Sequence, residues 1–310
     1  MQARALRNYH PVDTSLPPTG HLPALDEKDL SLRDYHSLKH WVNVRVSRGN
    51  LNSYGVHAAH IGEILGEPIL SPHLAQKLAM GLSGIELVKH DMCRLSHMAF
   101  TTDDEDEEEG RDTMKTCTHQ LRTRPVRRYV QFKIVPRIQA LLSTQEKSDD
   151  LKSLFKTYEA SIEAIKLGQR RFRDYADGDI HHNHRNAGLF SQDWDTAFTV
   201  GQDGAQLRLG RQSSAWFVML TILNIPFEKG RLSMFNTMIL CLIPGPNSPA
   251  NLDSFLWPIH QDLAHAAAGV WMYDGFMREW RVWHGYLVAE TGDEPCQSKL
   301  CHHTGHQGKI

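Results

Sequence analysis

Thr196-Ala-Phe-Thr-Val-Gly-Gln-Asp203-Gly204 and Trp283-His-Gly-Tyr-Leu-Val-Ala-Glu-Thr-Gly-Asp293 lie about ninety residues apart, and each runs from apolar residues into an aspartate. Both runs read as strand. A carboxylate at the carboxyl end of a strand sits at the rim of a sheet, where ligands and metals bind in open α/β folds. Two such carboxylates on neighbouring strands can share a divalent cation, an arrangement suited to phosphoryl transfer on nucleic acids. Taken singly, each aspartate has a plainer explanation, since many strands end in Asp-Gly turns.

The intervening residues decide between these readings. Ala215–Leu223 and Met238–Ile243 are two more β-like runs, and Pro244-Gly-Pro-Asn-Ser-Pro249 then breaks the chain. Leu252, Phe255, Leu256, Ile259 and Leu263 mark one face of a helix, with Pro258 a candidate kink, and Tyr286–Ala289 closes the series. The order β-β-β-α-β predicts an antiparallel meander, then a helical crossover to a strand parallel to the first. If the fourth strand lies beside the first, Asp203 and Asp293 emerge at the same sheet edge. The expected class is therefore α/β, an incomplete ribonuclease H-like domain.

At 310 residues, with 41% hydrophobic and 23% charged, the chain is of ordinary globular composition. Its 34 basic residues face 36 acidic ones, so DNA affinity must come from local patches and not from the global field. No apolar stretch is long enough to span a bilayer, and the N-terminus lacks the apolar core of a signal peptide. Five irregularly spaced cysteines suggest no disulfide framework. The expectation is an intracellular, reduced protein without a membrane partner.

Residues 1–29, with Pro11, Pro17, Pro18 and Pro23, read as a loose arm. Residues 30–90 carry apolar stripes at helical spacing (Leu38, Trp41, Val42, Val46; Ile61, Ile64, Leu65; Leu74, Leu78, Leu82), predicting two to four helices interrupted near Gly55 and Pro68, with the stripes as core faces. Asp103–Glu109 is an uninterrupted acidic run, expected to stay solvated. Arg122, Arg124, Arg127, Arg128, Lys133 and Arg137 follow, interleaved with Tyr129, Phe132 and Ile134. They could track a phosphate backbone, or form the outer face of a strand. Asp149 to about Tyr175 reads as one helix.

Several collinear motifs resemble the transposase of CACTA-type (En/Spm-like) DNA transposons, closest to the copies found in mushroom-forming fungi. They are Asp177-Gly178, Gln202-Asp203-Gly204, Leu242-Ile-Pro-Gly-Pro-Asn-Ser-Pro249, Leu252-Asp-Ser-Phe-Leu-Trp-Pro258, Thr291-Gly-Asp293-Glu-Pro295, Ser298-Lys-Leu300 and Thr304-Gly-His-Gln-Gly308, with Val135-Pro-Arg137-Ile-Gln-Ala-Leu141 upstream. The resemblance spans roughly residues 85–310 and implies an acidic-triad (DDE/D) transposase, with Asp203 and Asp293 as first and second catalytic aspartates holding Mg²⁺. Hard carboxylate oxygens suit that ion. Gly204 would let the backbone turn sharply and bring a phosphate close. The implied activity is cleavage and transfer of DNA strands at transposon ends, in the nucleus or nucleocytoplasm. The third acid of the triad should lie well downstream of Asp293, but the chain stops at Ile310, so an inactive fragment is expected. Glu290 alternates to the other face of its strand and is a poor substitute. A domesticated DNA- or protein-binding module is the alternative.

The family also implies cysteines near Asp91-Met-Cys93. Cys93, His97, Cys117 and His119 have the donors for a Cys₂His₂ zinc site. The acidic run between the pairs and the tight Cys-x-His spacing favour an eroded remnant. His181, His182 and His184 invite a metal reading too, as do His302, His303 and His306 near Cys296 and Cys301. Placement after a turn, in solvent, argues against the first cluster, and a frayed end argues against the second. The expected organisation is thus an arm (1–29), a helical region (30–90), a degenerate zinc-ribbon-like segment (91–148), a helical connector (149–180) and a truncated ribonuclease H-like transposase domain (190–310).

Overall fold

The computed structural model describes residues 30–83, 85, 87–93, 96–100, 127–206, 214–233, 236–245, 247–293 and 297. They fall into two compact units divided after Ile85. Among them no helix is long and apolar enough to cross a membrane.

The first unit is three helices: α1 (Leu32–Val46), α2 (Leu51–Leu65) and α3 (Pro72–Ser83). Ser31 and Asn50 cap α1 and α2, accepting from the backbone N–H of Asp34 at 3.1 Å and Ser53 at 2.9 Å. The helix break falls at this second cap, and α2 passes through Gly55 without interruption, correcting the expected break there. Gly66, at φ 75°, ends α2 just before Pro68. Polar groups form much of the centre. Tyr54 donates to the Leu70 carbonyl at 2.7 Å, Leu70 N–H donates to Ser37 at 2.9 Å, and His40 Nε2 lies 3.0 Å from the Tyr54 carbonyl. The apolar stripes are only partly core faces, because Val42, Val46, Ile64 and Leu74 are exposed.

The second unit is mixed α/β. Its sheet has six strands in the order β1-β2-β5-β4-β3-β8, with β1 Leu87–Met92, β2 Arg127–Phe132, β3 Thr196–Gln206, β4 Ser214–Ile222, β5 Thr237–Pro244 and β8 Gly285–Gly292. β3, β4 and β5 form an antiparallel meander, and β8 lies parallel to β3. Between β5 and β8 come α8 (Leu252–Ala268) and a separate hairpin, β6 (Val270–Asp274) and β7 (Glu279–Trp283). α8 runs through Pro258. The sequence reading did not include this hairpin, whose strands are only five residues each. β1 and β2 were not expected in this sheet either. They come from the segment read as zinc-ribbon-like and join it through Val130 and Gln131 against Leu242 and Cys241.

Before the meander stand α4 (Ile134–Leu142), α5 (Gln145–Leu151), α6 (Ser153–Lys166) and α7 (Asp179–Asn186). The expected single helix over 149–175 is α5 and α6 with a terminator at Gly168, which adopts φ 66° and closes α6 with N–H bonds from Gly168 to Ile165 and from Gln169 to Ala164. One sheet face holds the main core. Phe198 and Val200 of β3, Val218 and Leu220 of β4, and Tyr129 of β2 pack under Phe255, Ile259 and Leu263 of α8 and Ile134 and Ile138 of α4. On the other face a smaller cluster covers Ala197, Tyr286 and Val288 with Leu154, Ala176 and Phe190.

Candidate carboxylate rung on strands β3 and β8

The amino-terminal ends of β3 and β8 are tied together before any functional group appears. Thr196 N–H donates to the His284 carbonyl at 2.8 Å, and Trp283 Nε1 donates to Thr196 Oγ1 at 2.9 Å. Buried Asp195 accepts the His284 N–H at 3.1 Å, and Asn224 bridges Ala197, Asp195 and Leu151. From this anchor the strands run parallel, Thr196 beside Gly285 and Gln202 beside Gly292. The paired register ends there; Asp203 is the next residue of β3, and Asp293 directly follows the last residue of β8.

The register leading to these aspartates depends on a bulge. The register slips between Phe198/Leu287 and Thr199/Ala289, leaving Val288 as the extra residue. With an unbroken ladder Gly292 would stand beside Asp203, and Asp293 beside Gly204. Bulges re-aim side chains in this way near functional sites. Neighbours in register on a parallel pair share a face. Asp203 lies on the face of Gly201 and Thr291, opposite the one under α8, and both it and Asp293 are exposed. Asp203 makes no hydrogen bond or ion pair among the described residues. Glu290 lies on the other face, where it accepts from His260 Nε2 of α8 at 2.6 Å.

Gly204 plays a different part from the expected one. β3 continues through it to Gln206, paired with β4, so there is no turn at that point. A Cβ there would sit 2.9 Å from the ring of Trp216, the cross-strand partner. The glycine makes room for an indole.

The basic stretch is largely engaged in holding elements together. Arg127 bonds the Gly245 carbonyl, and Arg128 pairs with Asp91 at 3.1 Å. Lys133 pairs at 2.9 Å with Asp262, which also accepts the Ile134 N–H at the start of α4. Arg137 donates to the Ile239 carbonyl at 2.6 Å and lies over the Phe132 ring. Arg122 and Arg124 lie outside the described residues.

Of the zinc candidates, Cys93 is buried beside Met98 and Phe100, in a turn stitched by Cys93 N–H to the Met98 carbonyl. The His97 carbonyl accepts from Ala250 and Asn251. Cys117, His119 and the terminal histidines lie outside the described residues. Among those described, no group of three or more metal-binding side chains converges. His181 is not in solvent, as its position after a turn suggested: it is fully buried among Tyr158, Tyr175 and Phe190. No protein-family model matches the chain, and no curated protein matches it.

Proposed function

We propose that the chain derives from a CACTA-type DNA transposase, that β3, β4, β5, α8 and β8 are the front of a ribonuclease H-like domain, and that Asp203 and Asp293 are two carboxylates of its metal centre. The observation that carries this reading is the topology. A three-stranded meander followed by a helical crossover to a parallel neighbour of the first strand leaves Asp203 and Asp293 each one residue past the last pair of that ladder, Gln202 beside Gly292. An Asp-Gly turn does not account for Asp203, since no turn follows it.

The donor set fits Mg²⁺, because carboxylate oxygens are its preferred protein ligands and it is commonly held by one or two of them plus substrate phosphates. When bound, such an ion polarises phosphate oxygens and lowers the pKa of a water or 3′-hydroxyl. Asp203 and Asp293 would hold it. Among the described residues no helix packs on the sheet face around Gly201 and Thr291, where a DNA strand would approach. Glu290, turned towards His260, is not available as a third ligand. The resemblance implies an inactive fragment; with two carboxylates and DNA phosphates supplying the remaining affinity, we propose instead a residual, slow cleavage. Nuclear residence follows from a chromosomal DNA substrate.

Nicking of supercoiled plasmid by the full chain tests this. The expected result is slow, Mn²⁺- or Mg²⁺-dependent nicking that disappears in both Asp203→Ala and Asp293→Ala. Nicking that persists in both variants contradicts the assignment. Salt-sensitive DNA binding with no nicking under any metal favours the non-catalytic binding module.

A further inference from the structure

Deepening the reading of the chain as DNA-acting, we propose that Arg171 and Phe172 form the contact for a single nucleic-acid strand, Arg171 on a phosphate and Phe172 under a base. The segment begins where Gly168 ends α6. Ala164, Gln169, Arg170, Arg171 and Arg173 line a recess of about 460 Å³. Phe172 is 67% exposed and belongs to no core cluster.

The flanking guanidinium groups are fixed in place. Arg170 reaches Asp179 at 2.6 Å and the Asp177 carbonyl at 2.9 Å, and it lies 4.4 Å over the Phe172 ring. Arg173 holds Asp177 through Nε at 3.2 Å. These acids offset the charge of Arg170 and Arg173. Arg171 is exposed and makes no hydrogen bond or ion pair among the described residues. One exposed cation, Arg171, thus stands beside an exposed ring that Arg170 covers on one face only, on a scaffold held by two salt bridges.

An exposed arginine alone is ordinarily a solvated side chain. The adjacent ring changes the balance, because strand-tracking proteins combine phosphate contacts with aromatic platforms on which bases stack. A stacked base has to be unpaired, which favours a single strand over a duplex. The expected basic stretch is a poorer candidate, since Arg127, Lys133 and Arg137 are already engaged with the fold. With one free charge, salt dependence should be shallow, about 0.7 in the slope of log K against log[salt] per phosphate contact on a single strand.

Fluorescence anisotropy with the full chain and a labelled single-stranded oligonucleotide of about 16 nucleotides, the upper site size of common single-strand binders, in EDTA, tests the contact. Arg171→Ala is expected to weaken binding about tenfold and reduce the salt slope by about 0.7. Phe172→Ala should weaken it by about tenfold or more, as loss of one stacked base does, and Phe172→Trp should restore it. Both residues are exposed, so melting temperatures should match wild type. Binding in EDTA proceeds without the ion that the metal centre needs, which separates this contact from that centre. Binding that ignores the Arg171 and Phe172 variants overturns this proposal alone. Wild-type protein that binds no oligonucleotide, or that binds polyglutamate in its place, overturns this proposal and the DNA reading together.

Discussion

Asp274 is fully buried, and five donors reach it: Ser148 Oγ at 2.5 Å, Lys152 Nζ and Arg281 Nη1 at 3.0 Å each, and the N–H groups of Phe276 and Met277. Burial alone would raise its pKa, but the hydrogen bonds from Ser148 and Lys152 outweigh that and lower it. The native carboxyl therefore binds a proton less readily than the unfolded one. Its contribution to stability is complete above the ordinary carboxylate range and is lost as pH falls through the lowered native value. Asp274→Ala would leave Lys152 buried without its partner, and should cost about 3–5 kcal/mol in chemical denaturation. His181 titrates in a higher window. Burial first, then Arg185, His182 and His184, push it down from 6.5 to about 4. Between those values the unfolded chain takes up a proton that the native one does not, so stability falls on acidification, by an amount on the order of 3 kcal/mol across the window. His181→Phe, which suits the aromatic surroundings, should flatten the stability change between pH 7 and pH 5, read as melting temperature. An unchanged acid sensitivity would show that another group is responsible.

At the scale of elements, the β6–β7 hairpin is pinned to the end of α4. Gly275 N–H donates to the Leu142 carbonyl at 2.8 Å, and Gln139 bonds both the N–H and the carbonyl of Tyr273. A Cβ on Gly275 would drive into the Ser143 carbonyl, so Gly275→Ala should destabilise by about 1–3 kcal/mol, the usual range for overpacking, in the same denaturation assay. The strands of the meander and β8 were legible in the sequence because their Val, Ile, Phe and Thr runs are bounded by polar breaks. The crossover was legible because a helical stripe separates the third run from the fourth. The place of β1 and β2 was not, since β2 pairs with β5 through residues more than a hundred positions away and no local pattern records that. Gly55 and Gly204 misled for a common reason: glycine suggests a break, whereas α2 tolerates it and Gly204 serves the Trp216 ring. The Val288 bulge, which sets the register of β8 before Asp293, was not legible, because it exists only relative to β3.

For the whole molecule, the α6–α7 region packs on this face around Ala197, Tyr286 and Val288, and Asp203 and Asp293 are exposed. β8 is the sheet edge among the described residues. In the proposed reading, the two exposed carboxylates beside this edge strand are where a phosphodiester would meet the metal ion. The account depends on both carboxylates serving one ion. Mn²⁺ binding followed by electron paramagnetic resonance, with the full chain and its Asp203→Ala, Asp293→Ala and doubly substituted variants, tests that most directly. We predict one weak site, tightened by added DNA, that each single substitution removes as completely as the double one does. Two independent losses that add, or Mn²⁺ binding untouched by either substitution, would contradict it.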